Sequence, residues 1–166
     1  MLILEVYLSS SWKNQRRVRE LAINLRRFGI TAYDFTDPRC RDTPEIPPEK
    51  FPKQFDPKVD RYSEYIQAVP EWRQAVLCNQ RALVRCDVCL LLLPCGLDAH
   101  ADWAFAVGKG KRTAVVGHPN AGDRIPTHLW ANAILDNDSD AVSWCVDIME
   151  EDGPLGCGCP RTKRSR

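Results

Sequence analysis

Residues 86–117 read CDVCLLLLPCGLDAHADWAFAVGKGKRTAVVG, and the order of events in them decides the fold. Val88 to Leu93 is an apolar run, as a strand covered on both faces must be. Asp98 to Gly108 follows as a helix, and Arg112 to Val116 as a second apolar strand. Strand, helix, strand in so short a space implies a parallel pair joined by a right-handed crossover. Ala104, Ala106 and Gly108 are small and predict a helix lying close to the sheet. Its first turns, with Asp98, His100 and Asp102, then come down over the strand ends.

The same alternation extends in both directions. LILEVYL at 2–8 is a strand, and Val18, Leu21, Ala22, Leu25 and Phe28 fall on one helix face. Gly29 ends that helix, and ITAYDF at 30–35 is a second strand. Prolines 38, 44, 47, 48, 52 and 57 exclude regular structure over most of 37–56, a long irregular loop. A short helix is expected over 60–68, then a longer one opened by Pro70, with Trp72, Val76, Leu83 and Val84 as its buried side. A fifth strand is expected at Ala133–Leu135. A last helix, capped by Asp138 or Ser139, should face inward with Val142, Cys145, Val146 and Met149. The pattern predicts an α/β fold: a flavodoxin-like three-layer sandwich around a five-stranded parallel sheet of order 2-1-3-4-5.

At 166 residues the chain reads as one domain over 1–152, followed by a disordered tail at 153–166 that is basic and contains cysteine. A net charge of +1 offers no broad nucleic-acid surface, so nucleic acid is not an expected partner. No apolar run approaches the ~20 residues that span a bilayer, so no membrane partner is expected. MLILEVYL lacks a basic flank and a cleavage-like site, and the expected location is the cytoplasm. Cys86 and Cys89, with Cys157 and Cys159, could supply four zinc ligands. Cys89 lies inside the apolar run and reads more simply as a core residue, so no metal is expected.

In this strand order, ligands bind beyond the carboxyl ends of the first and third strands. The two loops there are SSSWKNQ at 9–15 and PCGLDAHAD at 94–102. The first offers hydroxyls from Ser9, Ser10 and Ser11, an aromatic plate from Trp12, and the start of a helix. It reads either as an anion site or as simple helix capping. In the second, Asp98 is placed to cap its helix, Asp102 lies one turn on along the same face, and His100 is expected to bond the loop. A carboxylate held in such a cleft can serve as nucleophile or base, and two close carboxylates push their pKa values apart.

Three segments carry a resemblance: YLSSSWKN at 7–14, FGITAYDFTDP at 28–38 and CDVCLLLLPCGLDAHADWAFAVGKGK at 86–111. Together they resemble the nucleoside 2-deoxyribosyltransferase-like superfamily, in particular a compact branch often found in phages and prophages. The resemblance runs from residue 4 to about residue 116. It implies a nucleoside or nucleotide N-glycosidase or deoxyribosyltransferase that needs no cofactor. A carboxylate on the helix after the third strand would attack the anomeric carbon, and the glycosyl-enzyme would pass to water or to another base.

On this chain the nucleophile position falls on Asp102, where the family has glutamate. The family's small hydroxyl falls on Asp98, here an auxiliary acid or base, and an acid of the preceding helix falls on Asn79. Tyr7 and Ser9–Trp12 fit the first-strand site, and Asp34 fits the YDF signature. Gly96 and His100 join the substrate-binding set. Aspartate withdraws the carboxylate by roughly 1.5 Å relative to glutamate, and a misplacement of that size can cost on the order of 100-fold in rate. An alternative is therefore a catalytically weak or inactive module that binds a nucleotide or an NAD-like molecule. The resemblance also implies a homo-oligomer. Residues 6–35 resemble the opening of a Toll/interleukin-receptor (TIR) domain as well, which implies an NAD-cleaving or self-associating domain.

Overall fold

The computed structural model describes residues 3–37, 56, 58, 60–68 and 70–151. The proline-rich loop over 38–55, the tail at 153–166 and Cys157 and Cys159 lie outside the described residues. Five strands form one sheet: β1 (Glu5–Ser9), β2 (Thr31–Tyr33), β3 (Val88–Leu92), β4 (Arg112–Val116) and β5 (Ala133–Leu135). All pair in parallel, in the order β2-β1-β3-β4-β5. The helices are α1 (Gln15–Arg27), α2 (Tyr62–Gln67), α3 (Pro70–Arg85), α4 (Leu97–Gly108) and α5 (Asp138–Glu151). The expected architecture is the observed one.

Side chains alternate across a strand, and the alternation sorts the core into two layers. Val6 and Leu8 of β1, Val88, Leu90 and Leu92 of β3, and Ala114 and Val116 of β4 pack with the buried faces of α1 and α5. Tyr7, Cys89, Leu91, Leu93 and Val115 face the other way, with Ala82 and Leu83 of α3 and Ala99, Trp103 and Ala106 of α4. The central strand β3 is buried at every residue, which is why it reads as an unbroken apolar run.

Four local expectations need correction. Phe28 is exposed, because the helix has ended at Arg27 and the chain is already turning at Gly29, whose φ is +78°. On α3 the buried residues are Cys78, Ala82 and Leu83, while Val76 and Val84 are 62% and 56% exposed. The sheet-facing stripe centres on small residues, and the valines lie on the opposite side. On α4, Ala106 does pack against the sheet, but Ala104 and Gly108 face outward with Leu97 and Ala101. The inner face combines small Ala99 and Ala106 with Trp103, the largest fully buried side chain, so low bulk describes only part of it. Finally, α5 begins at Asp138 and is capped by Asn137, whose Oδ1 accepts from the Asp140 amide at 3.0 Å while its Nδ2 donates to the Asp140 carboxylate at 2.8 Å.

One polar clamp closes the carboxyl end of the sheet on the α1/α5 side. The Arg17 guanidinium of α1 donates through Nε and Nη2 to Asp138 at 2.9 and 2.6 Å, and through Nη1 to the Leu93 carbonyl. It lies over Gly117, where an added Cβ would stand 3.2 and 3.3 Å from its nitrogens and 3.2 Å from the Leu93 carbonyl oxygen. Gly117 also has a φ of +88°, which an L side chain adopts at a cost of about 1–2 kcal/mol. Gly110, at φ +69°, has open space at the same position. Gly117→Ala should therefore lose more stability than Gly110→Ala, which meets the backbone cost alone. Urea denaturation of the two variants measures the difference, and equal losses would show that both the guanidinium and the Leu93 carbonyl give way freely.

Candidate functional site

Tyr7 stands in the middle of β1, and its ring leaves the sheet on the α3/α4 side, 1% exposed. Cys89 and Tyr33 are its register partners on the flanking strands. A phenol buried there needs an acceptor. It finds one on α4, donating to Oδ2 of Asp102 at 2.8 Å. Two residues further along β1, Ser9 points to the same face and donates to the Ala99 carbonyl at 2.9 Å. Strand β1 thus fastens the first two turns of α4 at two points.

The two loops of the switch point are stitched together by the next polar groups. Ser10 donates to the Leu92 carbonyl at 3.0 Å and accepts from Asn14 Nδ2 at 3.0 Å, and the same Asn14 amide donates to the Pro94 carbonyl at 2.7 Å. Ser11 caps a short 3-10 helix, Trp12–Asn14, by accepting from the Lys13 amide. The three serines therefore divide their work, and one of them caps. Trp12 is half exposed at the rim, edge-on to Phe35 with ring centroids 5.3 Å apart.

On α4 the helix cap is Gly96, which makes no side-chain cap bond, and Asp98 sits inside the first turn with an exposed side chain. The expectation that Asp98 caps the helix is corrected: the chain enters the helix two residues earlier. Asp98 instead acts on Asp102 as a like charge. Burial and the Asp98 charge raise the Asp102 pKa above the ordinary aspartate value, against the Tyr7 hydrogen bond, which lowers it. The Tyr7 phenol is pushed well above its own ordinary value by burial first and by the Asp102 charge second.

His100 bonds its own loop, as expected, with Nδ1 2.9 Å from the Gly96 carbonyl. That contact requires a proton on Nδ1 and leaves Nε2 an acceptor. His128 Nε2 lies 3.1 Å away, with the two rings only 4° from parallel, so His128 is the donor of an N–H···N bond. This bond ties the 3-10 helix Pro126–Trp130 to α4, on the side away from Asp102. His128 is pulled below its ordinary pKa by burial and by its neighbour.

Asp34 is buried at the end of β2 and spent locally, its Oδ1 accepting from the Thr36 amide at 2.8 Å and the Thr36 hydroxyl at 2.6 Å. Asn79 of α3 is drawn toward the site through Tyr33, whose hydroxyl donates to Asn79 Oδ1 at 2.9 Å. The structure thus joins Tyr7 to Asp102, sets Asp98 one turn away on the same helix, and connects Asn79 to them through Tyr33, which stacks on Tyr7. It leaves Asp34 in a turn, and Ser9, Ser10 and Gly96 holding backbone. Sequence reasoning missed Tyr33 and His128. The signal for Tyr33 was its place in the second strand, opposite Tyr7.

A concavity of about 630 Å³ opens elsewhere at the carboxyl ends, lined by Arg17, Leu93, Pro94, Gly117, His118 and Asp136–Ser139. None of Tyr7, Asp102, Asp98 and Asn79 lines it, and its Arg17 is already engaged by Asp138. The paired phenol and carboxylate lie on the other face of the sheet. Cys86 and Cys89 are buried free thiols in that layer, and no cluster of metal-ligating side chains occurs among the described residues. Nor is any described helix long and apolar enough to cross a membrane.

No protein-family model matches the chain, and no curated protein sequence matches it. Among solved structures, the fold is similar to that of a conserved protein from Enterococcus faecalis, at 10% identity and a TM-score of 0.53, over 89% of this chain and 99% of that one. It is also similar to the CMP N-glycosidase BcmB of Clostridium botulinum, at 12% identity and a TM-score of 0.49, over 86% of this chain and 98% of that one. At such identities the likeness is one of fold.

The raised Asp102 pKa has a consequence for stability. Between its unfolded and folded values the native state binds more protons, so this group's contribution is full below the unfolded value and is lost as pH rises through the folded one. Asp102→Asn keeps an acceptor for Tyr7 and removes the ionisation. The stability of the variant relative to the native chain should grow from about pH 4 to about pH 7, as read by urea denaturation at each pH. The opposite trend would mean that Tyr7 and solvent stabilise the carboxylate more than burial penalises it.

Proposed function

We propose that the chain is a nucleoside or nucleotide N-glycosidase or deoxyribosyltransferase, with Asp102 as its nucleophile. The observation that carries this reading is the 2.8 Å bond from Tyr7 to Asp102, which holds one carboxylate oxygen and leaves the other to react. The sequence resemblance over the same residues supports it, and the likeness to solved structures is compatible with it. In the first step the Asp102 oxygen attacks the anomeric carbon as the bond to the base breaks. The base leaves with the electron pair and takes up a proton from solvent, which exposed Asp98, one turn from Asp102 on α4, is placed to relay. The glycosyl ester then passes to water, or to a second base that restores an N-glycosidic bond.

Tyr7 has two effects in this scheme. It fixes the carboxylate's orientation, and its hydrogen bond opposes the rise in the Asp102 pKa. A nucleophile must be ionised, so activity should fall on the acid side as pH drops through a value above that of ordinary aspartate. A second reading, a module that binds a nucleotide or an NAD-like molecule without turnover, is favoured by one observation: the shorter side chain already gives Oδ2 to Tyr7.

The test is incubation with deoxynucleosides, nucleoside monophosphates including CMP, and NAD, with chromatography for free base. Base release should fall by on the order of 1000-fold or more in Asp102→Ala. Release that survives this substitution sinks the assignment, and a thermal shift without any product leaves the binding module. Tyr7→Phe should lower kcat about tenfold or more, through loss of a hydrogen bond to a charged group. It should also move the acid limb of the rate profile to higher pH, because the opposing bond is gone; an unmoved limb would detach Tyr7 from the nucleophile.

A further inference from the structure

Tyr33 is absent from the sequence-derived set of site residues, yet it has two partners in the site. It faces Tyr7 in register on the neighbouring parallel strand, so both rings leave the same face of the sheet. The rings stack, with centroids 5.3 Å apart and planes 11° from parallel. Tyr7 reaches α4 and donates to Asp102 at 2.8 Å, while Tyr33 reaches α3 and donates to Asn79 Oδ1 at 2.9 Å. Neighbouring strands lie about 5 Å apart, so the two hydroxyls stand side by side. The Asn79 amide of α3 and the Asp102 carboxylate of α4 are thereby each held by one of two stacked phenols.

An amide has an accepting end and a donating end. Tyr33 occupies the accepting end. The donating end, Nδ2, has no acceptor among the described residues, and Asn79 is half-buried. An acid at this position, which the resemblance implies, would offer acceptors; the amide held by Tyr33 offers a donor.

We propose that Tyr33 is a positioning residue that turns the Asn79 amide donor-outward. The site then selects a leaving base with an unprotonated ring nitrogen, as in cytosine or adenine, over one with a ring N–H, as in uracil or hypoxanthine. The inference rests on the nucleotide reading given above and specifies its base preference. A base whose anomeric carbon faces Asp102 extends along the seam between α3 and α4 toward Asn79, and a ring N–H there meets the amide donor head-on. The mismatch leaves two donors without a partner.

Matched pairs test this: CMP against UMP, and AMP against IMP. The readouts are kcat/KM for base release and, independently of turnover, the dissociation constant by calorimetry. The native chain should favour CMP and AMP by about tenfold or more. Tyr33→Phe frees the amide to turn over and should bring both ratios toward one. Asn79→Asp replaces the donor by acceptors and should reverse them. A purely structural loss would weaken both members of a pair equally and leave the ratios where they were; unchanged ratios in both variants overturn the proposal, as does failure to bind any of the four. Preserved binding ratios without base release would sink the cleavage reading and leave this one standing.

Discussion

The structure depends on the way β1 holds α4. A sheet with a helix packed on it needs apolar contact, and Ala99, Trp103 and Ala106 supply that. Apolar contact alone does not set how far along the sheet the helix lies. Two hydrogen bonds do: Tyr7 to the Asp102 carboxylate and Ser9 to the Ala99 carbonyl. Each satisfies a buried donor that would otherwise cost about 1–3 kcal/mol. Together they bring the acidic first turns of α4 over the strand ends, and the helix cannot slide without leaving Tyr7 unpaired. The carboxylate that positions the helix is therefore the same group that chemistry at this site would use. Its partial burial is what raises its pKa.

The two faces of the sheet divide the tasks. The α1/α5 face is closed by an apolar layer and, at its carboxyl end, by the Arg17–Asp138 clamp resting on Gly117. Its polar groups are spent on one another. On the α3/α4 face the core is interrupted by two stacked phenols, each with its hydroxyl directed to a different helix. Polar side chains set among apolar neighbours in this way carry a cost unless each is satisfied, and here both phenols are.

The sheet was legible because its signals are strong and local. The apolar run of β3 could only be a strand covered on both faces, and the strand–helix alternation left parallel pairing as the sole economical topology. Helix faces were read less well. On α3 the bulky valines suggest the wrong face, because the sheet accepts the small Cys78 and Ala82 beside Leu83. An acid before a helix suggests a cap at Asp98, but Gly96 starts the helix earlier by backbone conformation alone. Within the site, Tyr7 and Asp102 were found through their resemblance to a known pattern. Tyr33 was not, because YDF directs attention to Asp34, and that acid proves to be the brace of a local turn. Pairing across strands separated by 26 positions (Tyr7 to Tyr33) is a property of register, which a single chain does not display until the sheet is assembled.

The described cysteines are free and, except for Cys95, buried. Burial pushes the thiols of Cys86 and Cys95 up to about 11 and that of Cys145 to about 12. The reactive form of a thiol is its anion, so at neutral pH these sulfurs are almost wholly dormant. Alkylation of Cys86, Cys89 or Cys145 must then wait for the surrounding layer to open. Each becomes a clock on the breathing of its own side of the sheet: Cys145 for the α5 layer, Cys86 and Cys89 for the layer that contains the phenols.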